Sequence, residues 1–200
     1  MSESRKQFIT KLLTLVVGVS LIGLVACKKR KLKKCITTDD ILGPFYRKDA
    51  PTRTDLNVNN KTGTELKISG NVYGEDCATP LNDAKIEIWH ADDSGEYDNS
   101  TDDFEFRGVV NSDSNGKYEF LTIVPGHYLN GDTNRPSHIH FKITASDHEE
   151  LVTQLYFEGD PDIDDDPWAS DKDAEERIIT LNEDSDGNKS GTFDIKMMPD

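Results

Sequence analysis

The stretch Arg135-Pro136-Ser137-His138-Ile139-His140-Phe141 carries two histidines two residues apart, flanked by apolar residues. On a β-strand, residues i and i+2 point to the same face, so His138 and His140 would present their imidazoles side by side. Ile139 would then pack on the opposite face. Imidazole is the commonest metal ligand among side chains. Taken alone, the pair favours two half-exposed histidines on an edge strand over a pair of metal ligands. The surrounding sequence decides between these two interpretations.

Alternating apolar and polar residues on both sides of this stretch predict further strands. Only residues 170–177 favour a helix, a short one with Ser170 as its N-cap. Short strands at this spacing predict an all-β chain, folded as an antiparallel β-sandwich with at most one short helix. The predicted strands cover residues 66–74, 84–89, 117–123, 138–144 and 151–157, with a final hairpin of residues 178–182 and 192–197 around Asp186-Gly187.

Long irregular stretches separate the predicted strands and are where a site is expected on a rigid sandwich. One of them contains the acidic run Asp160-Pro161-Asp162-Ile163-Asp164-Asp165-Asp166, which is interpreted as a solvated loop that could attract a cation weakly. The stretches are residues 43–63, 92–104, 126–137 and 158–170.

The charge of the 200 residues is divided unevenly along the chain. Residues 1–34 have a net charge of +8, whereas residues 35–200 have a net charge of −23. The length suits one domain with a substantial core. Because phosphate recognition needs a basic footprint, the acidic domain argues against nucleic acid as a partner.

The N-terminal segment has the pattern of an export signal. Basic residues precede an apolar run, Leu12 to Ala26, that is short for a membrane-spanning helix. The run ends in Leu24-Val25-Ala26-Cys27, which resembles a bacterial lipobox, and an ordinary N-terminal anchor helix is the alternative. We therefore expect a signal peptide over 1–26, a lipidated Cys27 followed by a basic tether up to residue 40, and an exported, membrane-anchored lipoprotein.

Two further cysteines, Cys35 and Cys77, could form a disulfide in an exported protein. Such a bridge would stabilise the fold by about 4 kcal/mol in the chain-entropy model. The sequence leaves this pairing open against two unbridged thiols.

The motifs around the two histidines, in their order and spacing, resemble the intradiol ring-cleavage dioxygenases, the family of protocatechuate 3,4-dioxygenase and catechol 1,2-dioxygenase. The resemblance is good over residues 41–160 and looser beyond, so a domain over 41–200 is expected. Its motifs are the stretches 89–97, 106–108, 113–118, 123–128, 135–141 and 151–160.

The resemblance implies a non-haem Fe(III) ion held by Tyr97, Tyr128, His138 and His140. The chemistry is consistent, because phenolates are hard anionic donors that favour Fe(III), and imidazoles complete the set. Keeping a tyrosine ionised at neutral pH corresponds to about 4 kcal/mol, which a trivalent cation supplies. The remaining tyrosines and histidines are not expected to be ligands: Tyr46, Tyr73, Tyr118, Tyr156, His90, His127 and His148.

The resemblance also implies an activity, the opening of a catechol-type ring between its two hydroxyls with insertion of both atoms of O2. Tyr128 would leave the metal and act as a base, Arg135 would stabilise negative charge on the substrate, and Gln154 would lie beside the iron. Tyr46 would contact substrate. Arg107 matches the family pattern, with a structural role as the alternative.

Two other functions remain open on the sequence alone. One is a non-enzymatic, exported β-sandwich binding module without a metal. The other is a catechol- or siderophore-binding protein that keeps the iron but does not turn over. The expected partners are a small aromatic diol, O2 and a membrane reached through the lipid anchor. The sequence fixes neither the substrate nor the oligomeric state, and a homo-oligomer is one alternative.

Overall fold

The computed structural model describes residues 35–200, which form two five-stranded sheets and a separate two-stranded hairpin. The predictions for the signal peptide and for the lipidated Cys27 lie outside the described residues. Along residues 35–200 the strands are β1 Glu65–Tyr73, β2 Lys85–Trp89, β3 Arg107–Asn111, β4 Lys117–Ile123, β5 Tyr128–Asn130, β6 Thr133–Arg135, β7 His138–Thr144, β8 Leu151–Phe157, β9 Ile178–Ile179, β10 Asn182–Glu183, β11 Lys189–Thr192 and β12 Ile195–Lys196.

The first sheet is built around β1, which pairs with β4, β11 and β12, while β10 extends it beyond β11. The second sheet has the order β3-β2-β7-β8-β9, and β5 and β6 form the hairpin. Most pairings are antiparallel, as predicted, but β1 pairs in parallel with β11 and β12, and β8 with β9. The all-β prediction is confirmed.

Alternation along β7 places the core on one face of the second sheet. Ile139, Phe141 and Ile143 are fully buried in the apolar core. The Phe141 ring contacts Tyr118 and Phe120 of β4, with ring centroids 6.5 and 6.1 Å away, so the core lies between the two sheets. The histidines of β7 therefore occupy the outer face of the second sheet.

The register of the second sheet aligns polar side chains on that outer face. His140 pairs with Trp89 of β2 and with Gln154 of β8, and Trp89 pairs in turn with Arg107 of β3. Directly paired residues in an antiparallel sheet share a face. Arg107, Trp89, His140 and Gln154 thus form one row across the sheet, and the loops that follow the strands cover this row.

The C-terminal part departs from the prediction in two ways. The predicted helix over 170–177 is wrong, because the only helical element there is a 3-10 turn, Glu175–Arg177, capped by Ala174 and not by Ser170. Successive turns replace it, since Ser170 N–H donates to the Asp166 carbonyl and Asp173 N–H to the Asp171 carboxylate. The final hairpin does form around Asp186-Gly187, but between β10 and β11.

The sequence interpretation lacked one strand, β3, and the hairpin formed by β5 and β6. The N-terminal boundary also differs, because the compact unit begins at Thr37, and Thr37 N–H donates to the Lys196 carbonyl. Residues 37–40, which the sequence placed in the tether, therefore belong to the domain.

Cys35 and Cys77 are each disulfide-bonded. Among residues 35–200, no helix is long and apolar enough to cross a membrane.

Candidate metal centre

The two histidines of β7 lie side by side beneath the loops of the outer face. Their ring centroids are 4.9 Å apart, and neither residue is more than 2% exposed. Two tyrosines close over them. Tyr97 lies on the loop after β2, and Tyr128 is the first residue of β5. The ring of Tyr128 lies 5.6 Å from that of His138, and the ring of Tyr97 lies 6.3 Å from that of His140. The four predicted ligands are therefore brought together.

The tautomer of His138 is fixed by its backbone contact. Its Nδ1 lies 2.6 Å from the Pro136 carbonyl oxygen, which can only accept, so Nδ1 carries the proton. The free lone pair is then on Nε2, which lies 3.3 Å from the Tyr97 hydroxyl oxygen. Burial, reinforced by the charge of Arg135, lowers the pKa of His138 to about 3. The imidazole is therefore neutral and presents a lone pair toward Tyr97.

His140 has two ring nitrogens that are both buried and both without a hydrogen-bond partner. Its ring stacks on Trp89, with centroids 4.8 Å apart and planes at 6°. Gly43 covers its other end, and a Cβ at this left-handed glycine (φ +71°) would lie 3.1 Å from His140 Cε1. Burial lowers the pKa of His140 well below its usual value. Unpartnered buried nitrogens are costly, and a metal ion would satisfy one of them.

The two tyrosines approach each other because their loops interlock at Gly95. Gly95 has φ +85°, and a Cβ there would lie 2.2 Å from the His127 carbonyl oxygen. Only glycine fits this conformation and this approach. The Asp92 carboxylate shapes the same loop by accepting hydrogen bonds from the backbone N–H groups of Ser94 and Glu96. The Tyr97 and Tyr128 rings consequently meet edge to face, with centroids 5.8 Å apart.

Both tyrosines have raised pKa values in the protein without a cation. Burial, with the neighbouring Tyr128 phenol, raises the pKa of Tyr97 well above 10. Burial also raises the pKa of Tyr128, while the positive charge of Arg135 opposes that rise. Two imidazole nitrogens and two phenol oxygens that can ionise form a donor set that fits a hard, highly charged metal ion.

Arg135 lies beside these donors and is buried in a network of side chains. Its Nε donates to Asp166 Oδ2 at 2.6 Å, and one terminal nitrogen donates to Gln154 Oε1 at 3.0 Å and Tyr156 Oη at 3.2 Å. Trp168 packs against the guanidinium, 4.4 Å from its ring centroid. Three partners and one aromatic ring therefore fix the orientation of this cation.

Gln154 is held in turn by the N-terminal segment. Its amide nitrogen donates to the Asp40 carboxylate and to the Ile41 carbonyl, each at 3.0 Å. Asp40 also accepts a hydrogen bond from Tyr156 and forms a buried ion pair with Arg177. The network contains two buried carboxylates and two buried guanidinium groups, so its charges balance. They belong to Asp166, Asp40, Arg135 and Arg177. Asp166 is fully buried, so the interpretation of the acidic run 160–166 as a solvated loop is wrong at this residue. Sequence reasoning missed Asp40 and Arg177, and offered no signal for partners so far apart in the chain.

Phe45, and not its neighbour Tyr46, packs on the tyrosine pair. Phe45 stacks on Tyr97 with centroids 4.2 Å apart and meets Tyr128 edge-on at 6.0 Å. The Tyr46 hydroxyl donates to Glu87 at 3.1 Å, and its ring packs against Trp89. The sequence analysis named Tyr46 as the substrate contact, whereas it is Phe45 that packs on the two tyrosines.

Arg107 acts as a structural clamp on the same loops. Its side chain donates to the carbonyl oxygens of Asp98 at 2.8 Å and Phe45 at 2.6 Å. These bonds join the loop that carries Tyr97 to the segment that carries Phe45. The geometry favours the structural alternative for Arg107.

The remaining histidines have partners outside the centre. His90 is fully buried between the Ala91 carbonyl and the Thr122 hydroxyl, each at 2.6 Å. His127 is half-exposed and contacts Asp160, and His148 contacts the Ser146 carbonyl. Tyr118 is a core residue whose hydroxyl donates to the Phe193 carbonyl.

Comparisons with known proteins find a matching family model and similar relatives. A family model described as Dioxygenase matches residues 41–199. A chlorocatechol 1,2-dioxygenase of Rhodococcus opacus is 32% identical over 76% of this chain and 67% of its own length. A catechol 1,2-dioxygenase of Acinetobacter lwoffii is 35% identical over 62% of this chain and 52% of its own length. The chain thus spans about half to two thirds of these curated relatives.

One solved structure is similar to this chain over nearly the whole length of the solved domain. It is the dioxygenase domain of a dioxygenase and carbohydrate-binding protein fusion from Streptomyces sp. SirexAA-E. That domain is 33% identical to this chain with a TM-score of 0.73, and the match covers 82% of this chain and 99% of the domain.

Proposed function

Since this chain belongs to the intradiol ring-cleavage dioxygenase family, we propose that it opens a catechol-type ring between its two hydroxyl-bearing carbons and inserts both atoms of O2. The observation that carries the proposal is the convergence of Tyr97, Tyr128, His138 and His140 in one buried cluster beside Arg135. A metal-free binding module would not need His140 to bury two unpartnered ring nitrogens.

A ferric ion is the cofactor that this donor set fits. His138 and His140 would bind it through imidazole nitrogens, and Tyr97 and Tyr128 through their phenol oxygens. When bound, such an ion supplies Lewis acidity, draws electron density from a bound catecholate and orients the diol. The raised pKa values of the two tyrosines mean that each phenol keeps its proton until a cation compensates the charge.

Tyr128 is the tyrosine best placed to move a proton. It is the first residue of the short hairpin β5–β6, whose other residues are exposed apart from Arg135. Burial raises its pKa, whereas the adjacent Arg135 charge partly offsets the rise. A phenol in this setting would lose its proton to solvent as its oxygen binds a cation, and the resulting phenolate could take a proton from an incoming diol.

Arg135 would stabilise negative charge that develops on the substrate. Its cation is already oriented by Asp166 and Gln154, so it requires no reorganisation during the reaction. Gln154 would keep this guanidinium in place and is itself fixed by Asp40. The chain thereby supplies a preorganised positive charge next to the Tyr128 hydroxyl.

The substrate class follows from the ring surfaces and from the relatives. Phe45 and the two tyrosines provide aromatic faces at the centre. The relatives are named for catechol, chlorocatechol and 6-chlorohydroxyquinol. A small aromatic 1,2-diol is therefore the substrate class we propose, with O2 as the second substrate.

We also propose that the protein is exported and anchored to a membrane by a lipid on Cys27. The lipobox-like sequence supports this, and the disulfide-bonded state of Cys35 and Cys77 is typical of an oxidising compartment. Metabolic labelling with a fatty acid should mark the wild-type chain but not Cys27→Ser. Label on both would contradict the proposal.

A visible spectrum of the full chain purified with iron tests the enzyme function. We expect a broad tyrosinate-to-iron band that shifts when catechol is added under air and recovers as O2 is consumed. A band that shifts and persists would favour a catechol-binding protein without turnover. An absent band, with no iron by elemental analysis, would overturn both.

Matched histidine variants make the same experiment specific to the centre. His140→Ala removes a predicted ligand and should abolish the band and the bound iron. His148→Ala changes a histidine outside the centre and should leave both intact. Equal iron content in the two variants would contradict the assignment of His140.

A further inference from the structure

A second group of metal-binding side chains lies outside the candidate centre, on the loop that precedes β5 and the loop that follows β8. His127 Nε2 lies 2.7 Å from Asp160 Oδ2 and 4.0 Å from Asp162 Oδ2. The ligand atoms of the three residues all lie within 4.8 Å of one another. None of the three contributes to the four-residue cluster described above.

Backbone contacts fix the Asp160 carboxylate independently of His127. Its Oδ2 accepts the Ser137 N–H at 2.9 Å, and its Oδ1 accepts the Asp162 N–H at 3.0 Å. The Asp160 side chain is 6% exposed, whereas those of Asp162 and His127 are 24% and 45% exposed. One ligand is therefore buried and oriented, and the other two open to solvent, where a bound ion would keep its water ligands.

The chemistry of the three groups suits a borderline divalent cation. Zinc binds imidazole nitrogen at about 2.0–2.1 Å and carboxylate oxygen at about 2.0–2.2 Å. The distances of 2.7 and 4.0 Å from His127 Nε2 to the two carboxylate oxygens do not exceed the sum of two such bonds, which is about 4.0–4.3 Å. A single ion can therefore bridge the histidine to either aspartate. Two carboxylates and a neutral imidazole also match the charge of a divalent ion.

We propose that His127, Asp160 and Asp162 bind a divalent cation of the Zn²⁺ class, separate from the candidate iron centre. The ion would join the segment that leads into Tyr128 to the loop that carries Asp166. It would thereby brace two loops of the centre from outside, through residues that touch neither substrate nor iron. The proposal does not depend on the dioxygenase activity, because its ligands and its test are independent of that reaction.

Zn²⁺ titration of the iron-loaded full chain against a chromophoric chelator tests the site. We expect one equivalent of Zn²⁺ per chain to compete with the chelator. His127→Asn and Asp162→Asn should each weaken binding by about tenfold or more, since removal of mere outer-shell partners already costs about 10–100-fold. Both positions are exposed enough for the variants to fold, which circular dichroism checks.

Three controls separate this site from its alternatives. His148→Asn changes another histidine in an acidic sequence and should leave Zn²⁺ affinity unchanged. Asp165→Asn removes a charge from the same acidic run, and a loss equal to that in Asp162→Asn would overturn the site in favour of diffuse attraction. In iron-free protein, His140→Ala should retain this Zn²⁺, so loss there would also overturn the proposal. Absence of Zn²⁺ binding to the iron-loaded wild type would likewise overturn the proposal.

Discussion

Arg135 and Asp166 form an ion pair of 2.6 Å in which neither side chain is more than 3% exposed. The pair joins the end of the β5–β6 hairpin to the acidic loop after β8, 31 residues further along the chain. Asp166 also accepts hydrogen bonds from the Trp168 and Ala169 N–H groups, which fixes its carboxylate. The orientation of the cation beside Tyr128 therefore depends on a loop that contributes none of the four candidate iron ligands.

Asp166→Asn should destabilise the protein and lower turnover together. The amide keeps the size of the side chain but leaves the Arg135 charge buried without a counter-charge, which costs about 3–5 kcal/mol in unfolding free energy. Urea denaturation and kcat measure the two effects. Asp165→Asn, at an exposed neighbour, should change stability by less than about 0.5 kcal/mol. Equal stability of the two variants would contradict this dependence.

Tyr128→Phe should lose most of its turnover, measured per bound iron. The ring still packs against Phe45, whereas the hydroxyl that would exchange a proton with the diol is absent. Loss of a general base costs about 10²–10⁴ in rate. The same substitution at Tyr118 removes a core hydrogen bond and should reduce stability without changing kcat. An unchanged kcat in Tyr128→Phe would exclude a role for this hydroxyl.

His90 should make stability decline in mild acid. Burial lowers its pKa to about 4, from about 6.5. Between these values the unfolded chain binds a proton that the folded chain does not, so stability is full above pH 6.5 and falls as the pH drops toward 4. The shift corresponds to about 3 kcal/mol. Urea denaturation across this range should show a flatter pH dependence for His90→Gln than for the wild type or His148→Gln. Parallel curves would contradict the assignment.

Phe45→Leu should impair substrate use, whereas Tyr46→Phe should not. Leucine loses the stack on Tyr97, and aromatic pairs contribute about 0.5–1.5 kcal/mol beyond their burial, so we expect up to about a tenfold fall in kcat/KM. Tyr46→Phe removes only the hydrogen bond to Glu87. The opposite ranking in steady-state kinetics would restore Tyr46 as the substrate contact.

Local alternation was sufficient to predict β2, β7 and β8, three of the four strands whose side chains form the row under the site. Strand β7 alternates histidines with Ile139 and Phe141, and its observed bounds are those predicted from that pattern. Strand β3 was missed because it is five residues long and contains Gly108, and β5 and β6 because they are polar and three residues long. Short elements of this kind depend on their neighbours and not on their own pattern.

The candidate ligands were only partly accessible to reasoning from residues. The spacing of His138 and His140 places them on one face of a strand, but Tyr97 and Tyr128 lie at loop positions that no periodicity relates to β7. Their selection rested on resemblance to a family. Asp40, 114 residues from the Gln154 that it holds, had no signal in the sequence at all.

The alternation along β7 links chemistry to folding. Ile139 and His140 are adjacent and face opposite sides of one sheet, so a slip of one residue in strand pairing would exchange them. Such a slip would bury imidazoles in the apolar core and carry aliphatic side chains to the metal-binding face. A chain that is wrongly registered therefore loses its core along with its donors, and only correctly paired molecules would remain stable enough to accumulate with iron. For the proposed iron centre, cofactor loading would then report correct strand register.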